Sequence, residues 1–141
     1  MSSERPAIRI DVLLILLLAC GAASLFHYSH NAEFLNEYPN MPAWLSRAQV
    51  YTAWLGVTAV GFIGYFLVRW QHQLLGLIVL AVYGLLGLDG LGHYAVAPAS
   101  AHTLTMNLTI WLEVVTAILL LTAVASSMLR WSRERHWNVR R

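Results

Sequence analysis

Four long apolar runs, each able to cross a bilayer, leave few folds open to this chain of 141 residues. They are Ile8–His30, with an uninterrupted core at Val12–Phe26, then Ala48–Val68, Leu74–Ala97 and Thr103–Leu129. Each reaches the roughly 20 residues needed to traverse about 30 Å of hydrocarbon. Backbone polar groups in lipid must be satisfied within their own segment, so the runs read as helices. The alternation of a transmembrane barrel is absent. Composition agrees: 58% of residues are hydrophobic and 11% charged, against about 25% charged in soluble domains. A soluble fold this small has no means of hiding so much apolar surface.

Arginine placement sets the expected orientation. Arg5 and Arg9 precede the first run, Arg69 lies between the second and third, and Arg130, Arg133, Arg135, Arg140 and Arg141 follow the fourth. Only Arg47 falls in the other two connections, so the positive-inside rule places both termini in the cytoplasm by eight arginines to one. Trp44, Trp70, Trp131 and Trp137 stand near run ends, where an aromatic belt is expected. The links Arg69–Gln73 and Pro98–Ala101 are short, which favours antiparallel neighbours. The longest connection is an outer loop over 31–47. In it, Asn36–Pro42 reads as turns, Pro42–Leu45 as a short interfacial helical turn, and Ser46 as the cap of the second helix.

The expected fold is an all-α membrane protein of one domain over residues 1–141. It is a four-transmembrane-helix, up-down-up-down bundle in a bacterial inner membrane, with N and C termini cytoplasmic. The basic tail over 130–141 is expected on the anionic lipids of the inner leaflet. Arg5 and Arg9 before Val12–Leu18 have the outline of a signal peptide, and Leu17-Leu18-Ala19-Cys20 that of a lipobox. Asp11 interrupts that outline and the apolar run continues to Phe26, so the segment is expected to remain as the first span. The weak net charge of +2 excludes nucleic acid as a partner by counterion release. The single cysteine, Cys20, excludes a disulfide framework and a Cys-only metal site.

The reactive side chains gather at one level. His27 and His30 end the first span, Asp89 and His93 the third, and His102 opens the fourth; Glu33 and Glu37 follow in the loop. Asp89 and His93 are four residues apart and share a helical face. Cys20 lies on the stripe of His27 roughly 10 Å deeper, and Glu113 on that of His102, past Met106 and Thr109, about 16 Å deeper. Gly56, Gly61 and Gly64, with Gly84, Gly87, Gly90 and Gly92, permit close helix approach. Ionisable groups inside a span mark function by default, and Asp89 and Glu113 qualify. Imidazoles with a carboxylate suit Cu, Zn or Fe, so the candidate metal ligands are His27, His30, Asp89, His93 and His102.

The segment Asp89-Gly90-Leu91-Gly92-His93, with His102 beyond it, resembles the Asp/His/His copper-ligand helix of membrane-bound particulate monooxygenase subunits. There too an aspartate precedes a histidine by four residues, with a second histidine further on. The likeness covers about fourteen residues, the later spacing is shorter here, and it implies copper as the metal.

Several functions stay open at this point. The leading one is a metal site on the outer face that holds, senses, delivers or uses the ion. A metal-free membrane enzyme would use Glu113 and Asp89 as catalytic proton donor and acceptor, with Trp111, Trp54, Tyr51 and Tyr94 lining a pocket for a lipid-like substrate. Haem held by His27 and His93 is a third reading. The fourth is an accessory subunit of a homo-oligomer or larger membrane complex. Each residue also has a structural alternative: interfacial His27 and His30, an orienting Asp89–His93 ion pair, His102 as a helix cap, a hydrogen-bonded protonated Glu113, and Cys20 as packing.

Overall fold

The computed structural model describes residues 11–139. All of its regular structure is helical. The helices are α1 (Val12–Glu33), α2 (Arg47–Arg69), α3 (Gln73–Leu86), α4 (Gly92–Val96) and α5 (Leu104–Val139). Four segments are long and apolar enough to cross a membrane: Val12–Glu33, Arg47–Arg69, Gln73–Val96 and Leu104–Arg135. Arg5, Arg9, Arg140 and Arg141, which carry half of the arginine argument, lie outside the described residues, as does the expected start of the first span at Ile8.

Side-chain caps start three of the helices. The Asp11 carboxylate caps α1 by accepting from Leu14 N–H at 3.1 Å, and its other oxygen accepts from Tyr65 O–H at 2.7 Å. Asp11 therefore ties α1 to α2 besides standing near a helix end. Ser46 caps α2, as its sequence predicts, and with Gln49 it closes a capping box. Ser46→Ala should lower stability by about 1 kcal/mol, read as a lower unfolding temperature with unchanged helix content. The start of α5 is capped by Thr103, whose hydroxyl accepts from Met106 N–H at 3.2 Å; His102 does not fill that role.

The bundle closes as a ring, with α1 on α2, α2 on α3, α3 on α5 and α5 on α1. Its core is apolar toward the α2–α3 turn, where Leu17, Leu77, Leu80, Leu120 and Val124 are buried together. There the backbones of α2 and α3 cross almost in contact. A side chain at Gly76 would meet the Val68 nitrogen at 2.5 Å and the Gly64 oxygen at 2.7 Å. Gly61, Gly84 and Gly87 are similarly crowded, whereas Gly56 has nothing within 4 Å and serves no close approach.

Three boundaries differ from expectation, each for a local reason. First, α1 continues to Glu33, so Asn31 is helical and buried rather than in the loop. Second, the third span is not one helix. It breaks after Leu86, passes through a 3-10 turn at Asp89–Leu91 and resumes as α4. Glycine is a poor helix former, and three of the six residues over 87–92 are glycine. Third, α5 does not stop at Leu129 but runs on through the basic tail to Val139. The 34–46 connection holds a 3-10 turn at Leu35–Glu37. Residues 42–45 form a turn closed by Leu45 N–H on Pro42 O at 3.0 Å, not a piece of helix. Asn40, at φ 57°, donates to Val96 O at 2.8 Å and fastens this loop over α4.

Candidate functional site

The site forms where α1 ends, α5 begins and the broken third span turns. On α1, Cys20, Ser24, His27 and Asn31 are buried at spacings of four, three and four residues, one face of a helix. On α5, Met106, Ile110 and Glu113 are buried in the same fashion. Gly90 fits between the two stripes: a Cβ there would lie 3.2 Å from Glu113 Oε2 and 3.7 Å from His27 Nε2. The glycine-rich break thus lets the third span approach two ionisable side chains that are each only 2% exposed.

The hydrogen bonds assign the ring nitrogens. Thr109 O–H donates to Met106 O at 3.0 Å, so its oxygen is left to accept from His27 Nδ1–H at 3.4 Å. His27 Nε2 is then unprotonated and accepts from the Asn31 amide at 3.1 Å. The same amide nitrogen lies 3.3 Å from His93 Nε2, so one amide bridges the two imidazoles. His102 Nδ1–H donates to Pro98 O at 3.0 Å, and its buried Nε2 has no hydrogen-bond partner among the described residues. Glu113 Oε2, 3.7 Å from His27 Nε2, is likewise buried with no hydrogen-bond partner among them. Asn31 Oδ1 is a third orphan. Buried polar atoms without partners are uncommon in folded proteins, and here three belong to one cluster.

The imidazoles from α1, α4 and the start of α5 meet in sequence. Ring centroids are 5.3 Å apart for His27 and His93, edge to face at 77°, and 6.0 Å apart for His93 and His102. Tyr38, from the loop, packs its ring on His93 at 5.0 Å and on His102 at 6.5 Å. Its hydroxyl shares a hydrogen bond with His30 Nδ1 at 2.8 Å. Burial pushes the Tyr38 phenol up to about 12, so it remains a neutral hydroxyl over the physiological range.

Not every expected residue joins. His27, His93 and His102 converge with Glu113, while His30 turns to Tyr38 and stacks on Phe34. Asp89 is exposed on the 3-10 turn, and among the described residues no ion pair joins it to His93. The break in the span takes the two out of a continuous α-helical register. The centre of the cluster is therefore His27 with Glu113, not Asp89 with His93. The four aromatics expected to line one pocket are divided. Trp54 donates to Ser24 at 3.1 Å, Tyr51 to Glu33 at 3.0 Å, and Tyr94 to Asn107 at 2.7 Å beside Trp111. Asn31 and Tyr38 went unseen in the sequence. Asn31 lies four residues beyond His27 on the same stripe, a signal open to anyone who extends the helix. Tyr38 carries no such signal, because its contacts cross between elements.

Beside the histidines lies a cavity of about 350 Å³, with His27, Asn31 and His93 at its polar side, Asp89 on its wall and the loop over it. Among the described residues, no group of three or more His, Cys, Asp or Glu stands in a metal-holding arrangement. A haem between His27 and His93 would have to displace the Asn31 amide and separate two rings in contact. No family model, curated protein sequence or solved structure matches the chain.

Proposed function

We infer that this chain binds a transition-metal ion through His27 Nε2, His93 Nε2 and Glu113 Oε2, with His102 Nε2 as a fourth donor. The carrying observation is the 3.7 Å approach of His27 Nε2 to Glu113 Oε2 on buried ground. With Thr109 accepting from Nδ1–H, Nε2 carries a lone pair that faces the Asn31 amide and stands beside the Glu113 carboxyl oxygen. Such a pair calls for a cation or a shared proton. Metal–nitrogen and metal–oxygen bonds of about 2.0–2.2 Å in a tetrahedral site put two donors roughly 3.3 Å apart, a few tenths of an ångström from the observed separation. The Asn31 amide, donating to two imidazole nitrogens, occupies ground that a cation would share. Imidazole with carboxylate favours Zn, Cu or Fe over Mg or Ca.

His27 also has the outer support that metal ligands use, since Thr109 fixes its tautomer and ring orientation. Thr109→Val should weaken metal binding by about 10–100-fold, measured by competition with a chelator, and leave the fold intact. A protonated Glu113 serving as acid toward an apolar substrate in the adjacent cavity is the competing reading, and the same contact supports it. Metal content decides: a protein that is metal-free as isolated and cannot be reconstituted leaves only the second.

The same proposal sets the bundle up-down-up-down in a bacterial inner membrane, termini inside, with the metal site at the outer end. Its support is the excess of arginine at the opposite end. Arg47, at the site's end, is paired with Glu33 at 3.0 Å. The helical tail, with Arg135 stacked over Trp131 at 4.5 Å, then emerges at the anionic inner leaflet.

A further inference from the structure

The cavity beside the histidines has walls of two kinds. His27, Asn31, His93 and Asp89 mark one kind; Met41, Leu45, Val50, Ala53 and Val96, with Gln49 among them, make up the other. At about 350 Å³ it falls at the small end of ligand-binding clefts. It also lies where the ring of helices is least closed. α2 packs closely on α3, yet it has no comparable interface with α4. The two spans are pinned together at Gly64 and Gly76 and separate toward the histidines, where the cavity fills the gap between them. The gap lies between two segments long and apolar enough to cross a membrane, beneath the 34–46 loop.

The polar groups of the cavity wall include an acceptor and donors. The Asn31 amide nitrogen lies against His27 and His93, Asp89 presents an exposed carboxylate, and Tyr28 and Gln49 carry a hydroxyl and an amide. Among the described residues lining the cavity there is no arginine or lysine, while Asp89 is a carboxylate, so no cationic side chain balances an anionic head. An uncharged head that donates a hydrogen bond and offers a lone pair meets both demands, with its apolar body against the other wall.

We propose that this cavity takes an apolar alcohol or phenol from the membrane, entering between α2 and α4 with its hydroxyl toward His27, His93 and Asp89. This deepens the metal-site reading by adding a ligand class, and rests on it only for the role of the hydroxyl at the metal.

The test uses full-length protein in phosphatidylcholine nanodiscs and a decanol analogue carrying a photoreactive diazirine on its chain. Labelling is expected at Met41, Leu45, Val50 or Ala53. Excess decanol should abolish it and decanoate should not. Ala53→Trp fills the cavity from α2 and should lose the labelling while retaining the metal content of the parent protein. Label confined to lipid-facing positions such as Leu112 and Leu119 would overturn the proposal, as would equal competition by decanoate. Metal content is measured on the same samples. Labelling without metal removes the metal reading alone, and metal without labelling removes the cavity ligand alone.

Discussion

Gly76→Leu should prevent the bundle from assembling, the largest stability loss expected of any single substitution outside the site. A side chain there meets the Val68 nitrogen at 2.5 Å and the Gly64 carbonyl oxygen at 2.7 Å. Both obstacles are backbone, so α2 and α3 must move apart along their contact. Overpacked cores lose about 1–3 kcal/mol when side chains can yield; here the loss should exceed that range. Gly56→Leu is the matched control, with nothing within 4 Å of the added group. It should unfold at the temperature of the parent protein, monitored by circular dichroism in the same detergent. Equal behaviour of the two variants would contradict the close crossing.

Glu113→Ala and His93→Ala should each strip the metal while the four helices persist. Loss of an outer-shell partner typically weakens a metal site about 10–100-fold, and removal of a direct ligand should exceed that. Asp89→Ala should change metal content little, because Asp89 is exposed and no ion pair joins it to His93. The contrast separates the cluster seen in three dimensions from the one that spacing along the chain suggests. If Asp89→Ala lost metal as fully as Glu113→Ala, the ligand set would have to be redrawn around the broken turn.

The four membrane-length helices were legible because hydropathy over some twenty residues is a cumulative signal that no single residue can erase. The Ser46 cap was legible because its partner Gln49 lies three residues away. The inward stripes of α1 and α5, with His27 and Glu113, followed from helical phase alone. What failed depended on contacts between elements. The break at 87–91 lies in a glycine-rich stretch that a hydropathy window passes over, and what it lets Gly90 approach on another helix leaves no trace along the chain. That break also exposes Asp89 and moves the centre of the cluster. Asn31 was missed by ending α1 at His30, and Tyr38 because a loop residue's packing against three histidines has no periodicity to reveal it. Residues 42–45 carry Pro, Trp and Leu in an order that suits an interfacial helix, but a tight turn brings Met41 and Leu45 over the cavity instead.

X-ray absorption at the metal edge of the purified protein tests the central claim most directly. The account predicts a stoichiometric transition metal with at least two imidazole nitrogens and an oxygen donor at about 2.0–2.2 Å, and loss of the metal on changing His27 and His93 together to Ala. A protein that holds no metal after reconstitution, or a spectrum unaltered in that double variant, would contradict it.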